Sequence, residues 1–283
     1  MNYKIVSAIL ILALASLACG FTIDIPKRPT PGPATTDEIM VAVPDADETR
    51  LAIAFGAGKL SLSPGAQDGL VEGTATYNIS DLKPQITEEG GDVRIQQGDY
   101  SFDGLPSFEG VRNEWDLKLG DVPMDLTIEA GAYDATYELG GLSLTGLTVK
   151  DGAAEVTLSF SSPNQTEMSM LRYETGASNV ELRGLSNANF NTLVFQSGAG
   201  DYTLDFSGEL QQDATVTISS GLSNVILVVP ENMNATITIE SGMTNVNTVA
   251  GWAKNDNLYT HQGEGPTLTF LIKMGAGNIT VTD

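Results

Sequence analysis

A short glycine-centred pattern repeats along the chain and constrains the fold more than any other feature. Six copies follow one another between residues 126 and 250, with 21 to 24 residues from glycine to glycine. Related segments stand at 51–62 and, after an insertion, at 270–281. Self-similarity at this period is typical of solenoids and other stacked arrays. The predicted corner glycines are Gly56, Gly131, Gly152, Gly176, Gly198, Gly221, Gly242 and Gly275.

Apolar residues alternate within each copy, and the alternation changes phase at the glycine. They stand five and three positions before it, as at Leu193 and Phe195, and four and six positions after it, as at Tyr202 and Leu204. Period-two alternation predicts a strand with one buried face. A change of phase requires a bend or bulge. We therefore expect two short strands that meet at a glycine corner, where glycine would supply left-handed backbone angles.

One such unit buries too little apolar surface to be stable alone, so the copies should stack. Residues three positions after each glycine would then form an outward file. Their amides and carboxylates suit an amide ladder or a ladder of oxygen ligands for calcium. We favour the amide ladder and expect no metal site, because no Asp-x-Asp spacing recurs. The file contains Lys59, Asp134, Glu155, Asn179, Asp201, Asn224, Asn245 and Asn278.

The first eighteen residues predict export. Lys4 precedes an apolar run, 5–18, which is short for a membrane span and suits a signal peptide. The run ends at Cys19, the only cysteine, and this junction resembles the bacterial lipoprotein signal. That resemblance implies that Cys19 is acylated and holds the protein at the outer face of a bacterial membrane. The alternative is an ordinary secretory signal cleaved near Ala18.

Composition excludes several classes of function. Lys and Arg number 14 against 36 Asp and Glu, for a net charge of −22, so a nucleic-acid partner is not expected. With one histidine, His261, and one cysteine, no site built on His and Cys ligands can form. The sequence contains no nucleophile elbow, phosphate loop or dinucleotide fingerprint. We expect no catalysis and no cofactor, and we place His261 in a polar surface loop.

The two tryptophans have different settings. Trp115 alternates with Leu117 and Leu119, which predicts a core position. Trp252 and Tyr259 lie in the insertion before the last copy and form a possible ligand surface, since exposed aromatic rings often bind sugars. Packing of Trp252 against the fold is the favoured alternative.

The Gly-Ala-Gly corners between strands resemble those of the toast-rack domains of bacterial envelope proteins. These include adhesin domains and the LiaF-like, cell-wall-active antibiotic response C-terminal domain. The resemblance extends over about 41–283, and FGAGKLSL (55–62), LVEGTATY (70–77), NEWDLKLG (113–120) and VPMDL (122–126) resemble the N-terminal region of that domain. It implies an all-β fold, a single-stranded right-handed β-helix of about eight or more short coils. LiaF-like proteins are thought to restrain a stress-sensing kinase through adjacent transmembrane helices, which we do not find here.

These observations predict four segments: a signal peptide (1–18), a lipidated cysteine with a proline-rich tether (19–40), a toast-rack N-terminal region (41–125) and the repeats (126–283). The predicted function is a non-catalytic, lipid-anchored scaffold or accessory sensor in envelope integrity or stress response. A surface adhesin or carbohydrate-binding module is the alternative, and a polysaccharide-cleaving β-helix is a third. The expected partners are the membrane, through acyl chains, and a cell-wall glycan or envelope protein. Self-association is also open, because a stack ends in strand edges.

The lipid anchor can be tested directly. We expect radiolabelled palmitate to be incorporated into the wild-type chain and not into Cys19→Ala, because the sulfur is the acceptor. The label is read by autoradiography after immunoprecipitation. A label that persists in the variant would contradict the anchor.

Overall fold

The computed structural model describes residues 31–98 and 110–283, and within them the chain is all-β, as predicted. The leader, Cys19 and the first part of the tether lie outside the described residues. Two short 3-10 turns, Ser80–Leu82 and Leu185–Ala188, interrupt the strands. The strands are β1 (Thr35–Val41), β2 (Thr49–Pro64), β3 (Val71–Tyr77), β4 (Gln85–Glu89), β5 (Asp92–Gln96), β6 (Asn113–Leu119), β7 (Met124–Glu138), β8 (Leu144–Asp151), β9 (Ala153–Ser159), β10 (Met168–Arg183), β11 (Phe190–Asp205), β12 (Ala214–Val228), β13 (Met233–Thr248), β14 (Ala253–Asn255), β15 (Leu258–His261) and β16 (Glu264–Thr282).

The tether predicted over 19–40 runs into the fold. β1 begins at Thr35 and pairs antiparallel with β3, and Ile39 and Val41 are buried. The apolar alternation of these residues gives them a place in the core, so they cannot serve as a free spacer.

The repeats stack as a parallel ladder in which equivalent positions face one another. Leu171 pairs with Leu193, and Val180 pairs with Tyr202, on either side of the corner. The spatial order is β2, β7, the pair β8 and β9, β10, β11, β12, β16 and β13. The sheet as a whole is mixed, because β1, β3, β4, β14 and β15 pair antiparallel with their neighbours.

The last two copies stack in the reverse of their sequence order. β16 lies between β12 and β13, so β13 forms the end of the ladder. The residues explain this exchange. β16 carries Ile279 and Val281 at the inward positions four and six after its glycine, and both are buried. β13 carries Val246 and Thr248 there, and the more polar set suits the exposed end of a stack.

The predicted change of phase at the glycine is confirmed. In β10, Tyr173 and Thr175 are buried before the corner, and Ser178 and Val180 after it, with two exposed residues between them. The prediction of two separate strands holds only at Gly152, between β8 and β9. In the other seven copies one strand continues through the corner, because the backbone keeps its hydrogen bonds to the neighbouring coil while it bends.

Close approach of the coils, and not backbone conformation, explains the corner glycines. None of the eight has a left-handed φ, so that part of the prediction is wrong. A Cβ added to Gly176 would lie 2.4 Å from the carbonyl oxygen of Gly152, and one added to Gly198 would lie 2.5 Å from that of Gly176. No real Cβ fits at such distances. Positive φ occurs two residues after the corner, at Gly200 and Gly277 among others.

The apolar positions of all coils form one continuous core. Trp115 is 1% exposed, which confirms its predicted place, and its ring meets Phe55 edge-on at 5.1 Å between centroids. Further along the stack, Phe195 lies between Tyr173 and Tyr202 at 5.6 and 5.1 Å. These aromatic pairs add to the free energy that burial alone supplies.

The first end of the ladder carries a coil that the repeat pattern did not reveal. β5 and β6 pair with the two halves of β2, and no glycine stands at their corner. The side chain of Gln97 fills that place, and its Oε1 accepts the N–H of Gly56 at 3.0 Å. Asn113 donates to the same oxygen at 2.7 Å and accepts from the Trp115 indole at 3.1 Å. This amide pair replaces the next corner.

We expect Gly198→Ala to lower the free energy of unfolding by about 2–3 kcal/mol, because its Cβ would collide with a backbone oxygen that cannot move aside. Gly32→Ala is the control, since a Cβ there meets only the Asn78 carbonyl at an ordinary 3.7 Å. Urea unfolding followed by circular dichroism measures both. Equal stability of the two variants would contradict the steric explanation.

Candidate functional site

A groove of about 710 Å³ runs along the stack beside the glycine corners, and we call it the corner groove. Six coils contribute to it. The alternation turns the residue two positions before each glycine outward, which forms the rim, and the phase change turns the next residue toward the floor. The rim consists of Lys150, Glu174, Gln196, Ser219, Lys273 and Glu240, and the floor includes Asp151, Thr175, Ser197, Ser220 and Met274.

A carboxylate surrounded by hydroxyl groups lies at one end of the floor. The Asp151 carboxylate accepts hydrogen bonds from the Tyr173 hydroxyl at 2.7 Å, from the Ser178 hydroxyl at 3.3 Å and from the Thr175 hydroxyl. The Tyr133 hydroxyl is 3.5 Å away. All four donors are buried. A carboxylate that accepts this many hydrogen bonds is held in one orientation.

The tyrosines of this cluster are kept neutral. Burial raises the pKa of Tyr173 well above its usual value, and the nearby charges of Tyr133 and Asp151 add to the effect. Burial also raises the pKa of Tyr133 and of Tyr137. Among the described residues, the Tyr137 hydroxyl has no hydrogen-bond partner. The phenols therefore act as hydrogen-bond donors throughout the neutral pH range.

The rest of the floor is made of uncharged hydroxyls. Ser197 Oγ and Ser220 Oγ are 2.8 Å apart, and Ser220 in turn bonds to Ser223. On the rim, Lys273 pairs with Glu240 at 3.2 Å, and Glu174 pairs with Arg172 at 3.0 Å. The corner groove therefore offers donors and acceptors in alternation, with its charges partly balanced.

The opposite side of the corner carries the predicted amide ladder, which is confirmed over four coils. Asn224 Nδ2 donates to Asp201 Oδ1 at 2.7 Å, Asn278 donates to Asn224 at 2.7 Å, and Asn245 donates to Asn278 at 3.3 Å. Each amide thus uses its oxygen toward one neighbour and its nitrogen toward the other. In the part of the chain that the structure describes, no three His, Cys, Asp or Glu residues lie close enough to hold a metal ion.

The predicted aromatic ligand surface is corrected in part. Tyr259 is 5% exposed and has Lys254 Nζ 5.1 Å from its ring centre, so it presents little surface to a ligand. Trp252 is half-buried, packs against the core and lies 5.3 Å from the His261 ring. His261 is not in a surface loop. It ends β15, and its Nδ1–H donates to the Met233 carbonyl at 3.0 Å.

Sequence reasoning missed the Asp151 cluster. A usable signal was present, because the residue before the glycine is Asp, Thr, Ser and Ser in four consecutive copies. Polar residues at a fixed position of a repeat form a file once the coils are in register. The contribution of Tyr133 and Tyr173 could not be foreseen, since apolar alternation gives the same pattern for Tyr and Phe.

Within the described ranges, no helix has the length and hydrophobicity that a membrane span requires.

We expect Asp151→Ala to cost about 2 kcal/mol or more of unfolding free energy, because buried hydroxyls would lose their acceptor. Asp134→Ala removes an exposed carboxylate of the next coil and should stay within about 0.5 kcal/mol of wild type. Urea unfolding measures both, and a neutral Asp151→Ala would show that the cluster contributes nothing to stability.

The chain matches two kinds of known protein. The family described as "N-terminal domain of toast_rack, DUF2154" matches residues 30–183 and 163–228. A crystal structure from Clostridium sporogenes ATCC 15579, named a "putative cell adhesion protein", is 22% identical, with a TM-score of 0.51 over 88% of this chain and 99% of that one. A comparison with curated proteins gave no match.

Two more distant structures are similar over most of their length. A "putative lipid binding protein" from Parabacteroides distasonis ATCC 8503 is 12% identical, with a TM-score of 0.37 over 89% of this chain and 98% of that one. A "putative adhesin" from Bacteroides fragilis NCTC 9343 is 11% identical, with a TM-score of 0.34 over 89% and 98%. The family match covers more than half of the chain and agrees with the corners on the page. The chain belongs to the toast-rack family.

Proposed function

We propose that the protein is a non-catalytic recognition scaffold of the bacterial cell envelope that binds a hydroxyl-rich polymer, a glycan, along the corner groove. The observation that carries the proposal is the groove itself. Six stacked coils present polar side chains in register above a floor of hydroxyls. A stack of this kind repeats one contact at each step, which suits a ligand that also repeats.

The chemistry of the groove favours a neutral or zwitterionic glycan. Hydroxyl and amide side chains both donate and accept hydrogen bonds, as sugar hydroxyls do. The rim cations Lys150 and Lys273 stand among carboxylates, and the chain carries a net charge of −22. A polyanion would therefore be repelled.

Attachment at the cell surface is part of the same proposal. The lipoprotein-like junction at Cys19 and membership of the toast-rack family support an exported, anchored protein. The name of the Clostridium structure agrees with an adhesin-like role. We also propose that the stack is a single-stranded right-handed β-helix, in keeping with the resemblance. A part in envelope stress response, as a scaffold or accessory sensor, stays a prediction that rests on the resemblance to LiaF-like domains.

We expect the protein to be retained on at least one member of a panel of immobilised cell-wall polysaccharides and peptidoglycan. Ser219→Arg, which fills the groove, should weaken that binding at least about tenfold, which corresponds to about 1.4 kcal/mol. Thr203→Arg is the matched control, because it places the same side chain on the opposite face of the adjacent coil. Biolayer interferometry gives the affinities.

Two results would count against the proposal. One is no retention on any polysaccharide of the panel. The other is Ser219→Arg binding as wild type does, which would place the ligand elsewhere.

A further inference from the structure

The end of the ladder formed by β13 leaves part of a strand edge open. β13 pairs with β16 along its whole length. On its other edge, β15 covers Ala235 to Thr238, and the N–H of Ile239 donates to the Asn257 carbonyl at 3.0 Å. Beyond that point, from 240 to 248, no strand of the described residues lies on this edge.

The hydrogen bonds show which backbone groups face outward. Val249 donates its N–H to the Val281 carbonyl of β16 at 3.2 Å. Because N–H and C=O groups of successive residues point to opposite edges of a strand, Thr248, Val246 and Thr244 direct theirs away from β16. Three donors and three acceptors therefore stand along the open edge.

The inner side of this coil is also uncovered. In β12, Val225 and Leu227, at the inward positions four and six after the glycine, are almost fully buried. At the same positions of β13, Val246 is half-buried and Thr248 is exposed. The Thr244 hydroxyl is buried and has no partner among the described residues, and Met243 is 83% exposed. The core thus ends on a surface that another layer could cover.

Charge makes this end suited to a second copy of the same chain. Residues 31–213 contain thirty acidic and nine basic residues, whereas 214–283 contain five and two. The run 241–253 contains no charged residue and no proline. Solvent-exposed edges are usually protected by Lys, Pro or a bulge. An unprotected, nearly neutral edge on an acidic protein allows a like molecule to approach.

We propose that two copies join through this edge, with β13 of one molecule antiparallel to β13 of the other across a two-fold axis. One register pairs all six outward groups of each strand: Val246 stands opposite Val246 of the second copy, and Thr244 opposite Thr248. The two Val246 side chains then cover each other, and the Thr244 hydroxyl gains a cross-strand threonine partner. Asn245 comes beside Asn247 of the second copy. The contact is isologous, so it closes as a dimer.

This geometry gives the dimer a direction, and here the inference rests on the proposed function. β1 and β13 stand at opposite ends of the parallel ladder, and the described chain begins next to β1. Pairing through β13 leaves the two chain starts at the far ends of the joined ladder. If each chain is anchored through Cys19, the contact links two facing surfaces.

Sedimentation velocity of the full chain in detergent tests the pairing. We expect a species of twice the chain mass, and a dimer dissociation constant at least about tenfold higher for Thr248→Lys, because a buried lysine opposes edge pairing. Thr203→Lys, in the middle of the stack, should dimerise as wild type does. Thermal melts check that both variants fold. A monomeric wild type, or a dimer unchanged by Thr248→Lys, would overturn the proposal. A monomer whose open edge resists hydrogen exchange would show that the chain's own segments cover it.

A cross-link tests the register. In a Cys19→Ala background, Val246→Cys should form a covalent dimer under mild oxidation, because the Cα atoms of a hydrogen-bonded antiparallel pair lie about 5.5 Å apart, within disulfide range. Ser61→Cys, exposed on the first coil, should not. Absence of the cross-link at position 246 would overturn this pairing.

The direction has its own readout. The wild-type chain coupled through Cys19 to maleimide lipid vesicles should cluster the vesicles, measured by turbidity, and Thr248→Lys should not. Dimers in solution without clustering would contradict the contact between surfaces and leave the edge pairing standing.

Discussion

The structure depends on how closely successive coils approach one another at their corners. A Cβ at any of the corner glycines from Gly131 onward would come within 2.4–3.0 Å of the carbonyl oxygen of the neighbouring corner glycine. The same column carries backbone hydrogen bonds, such as that from the Gly152 N–H to the Gly131 carbonyl at 3.1 Å. The corners therefore fix both the distance and the register between coils. At the first end, the Gln97 amide takes over this contact with Gly56.

Fixed register converts a position in the repeat into a surface. The residues just before the glycine form the hydroxyl floor with Asp151, those two before it form the rim of the corner groove, and those three after it form the amide ladder. A single coil offers too few polar groups to recognise anything. Six aligned coils offer an extended site, and the same stacking buries the core that holds it rigid.

The two ends of the ladder differ for a physical reason. The first end is covered by β5 and β6 and then by antiparallel strands, so its core is closed. At the other end, the chain places the apolar β16 inside and the more polar β13 outside, because Ile279 and Val281 gain more from burial than Val246 and Thr248 would. The β14–β15 hairpin covers only the part of β13 before its glycine.

Local pattern was sufficient for much of this. The spacing of apolar residues predicted the strands, their phase change at the corner, the core position of Trp115 and the amide ladder from Asp201 to Asn245, because each depends only on alternation and in-register stacking. The tertiary structure decided the rest. The exchange of β16 and β13, the burial of Tyr259 and the gathering of Tyr133, Tyr173 and Thr175 around Asp151 depend on which coil lies above which. Those contacts join residues distant in sequence, and their energies are compared only when the whole stack is assembled.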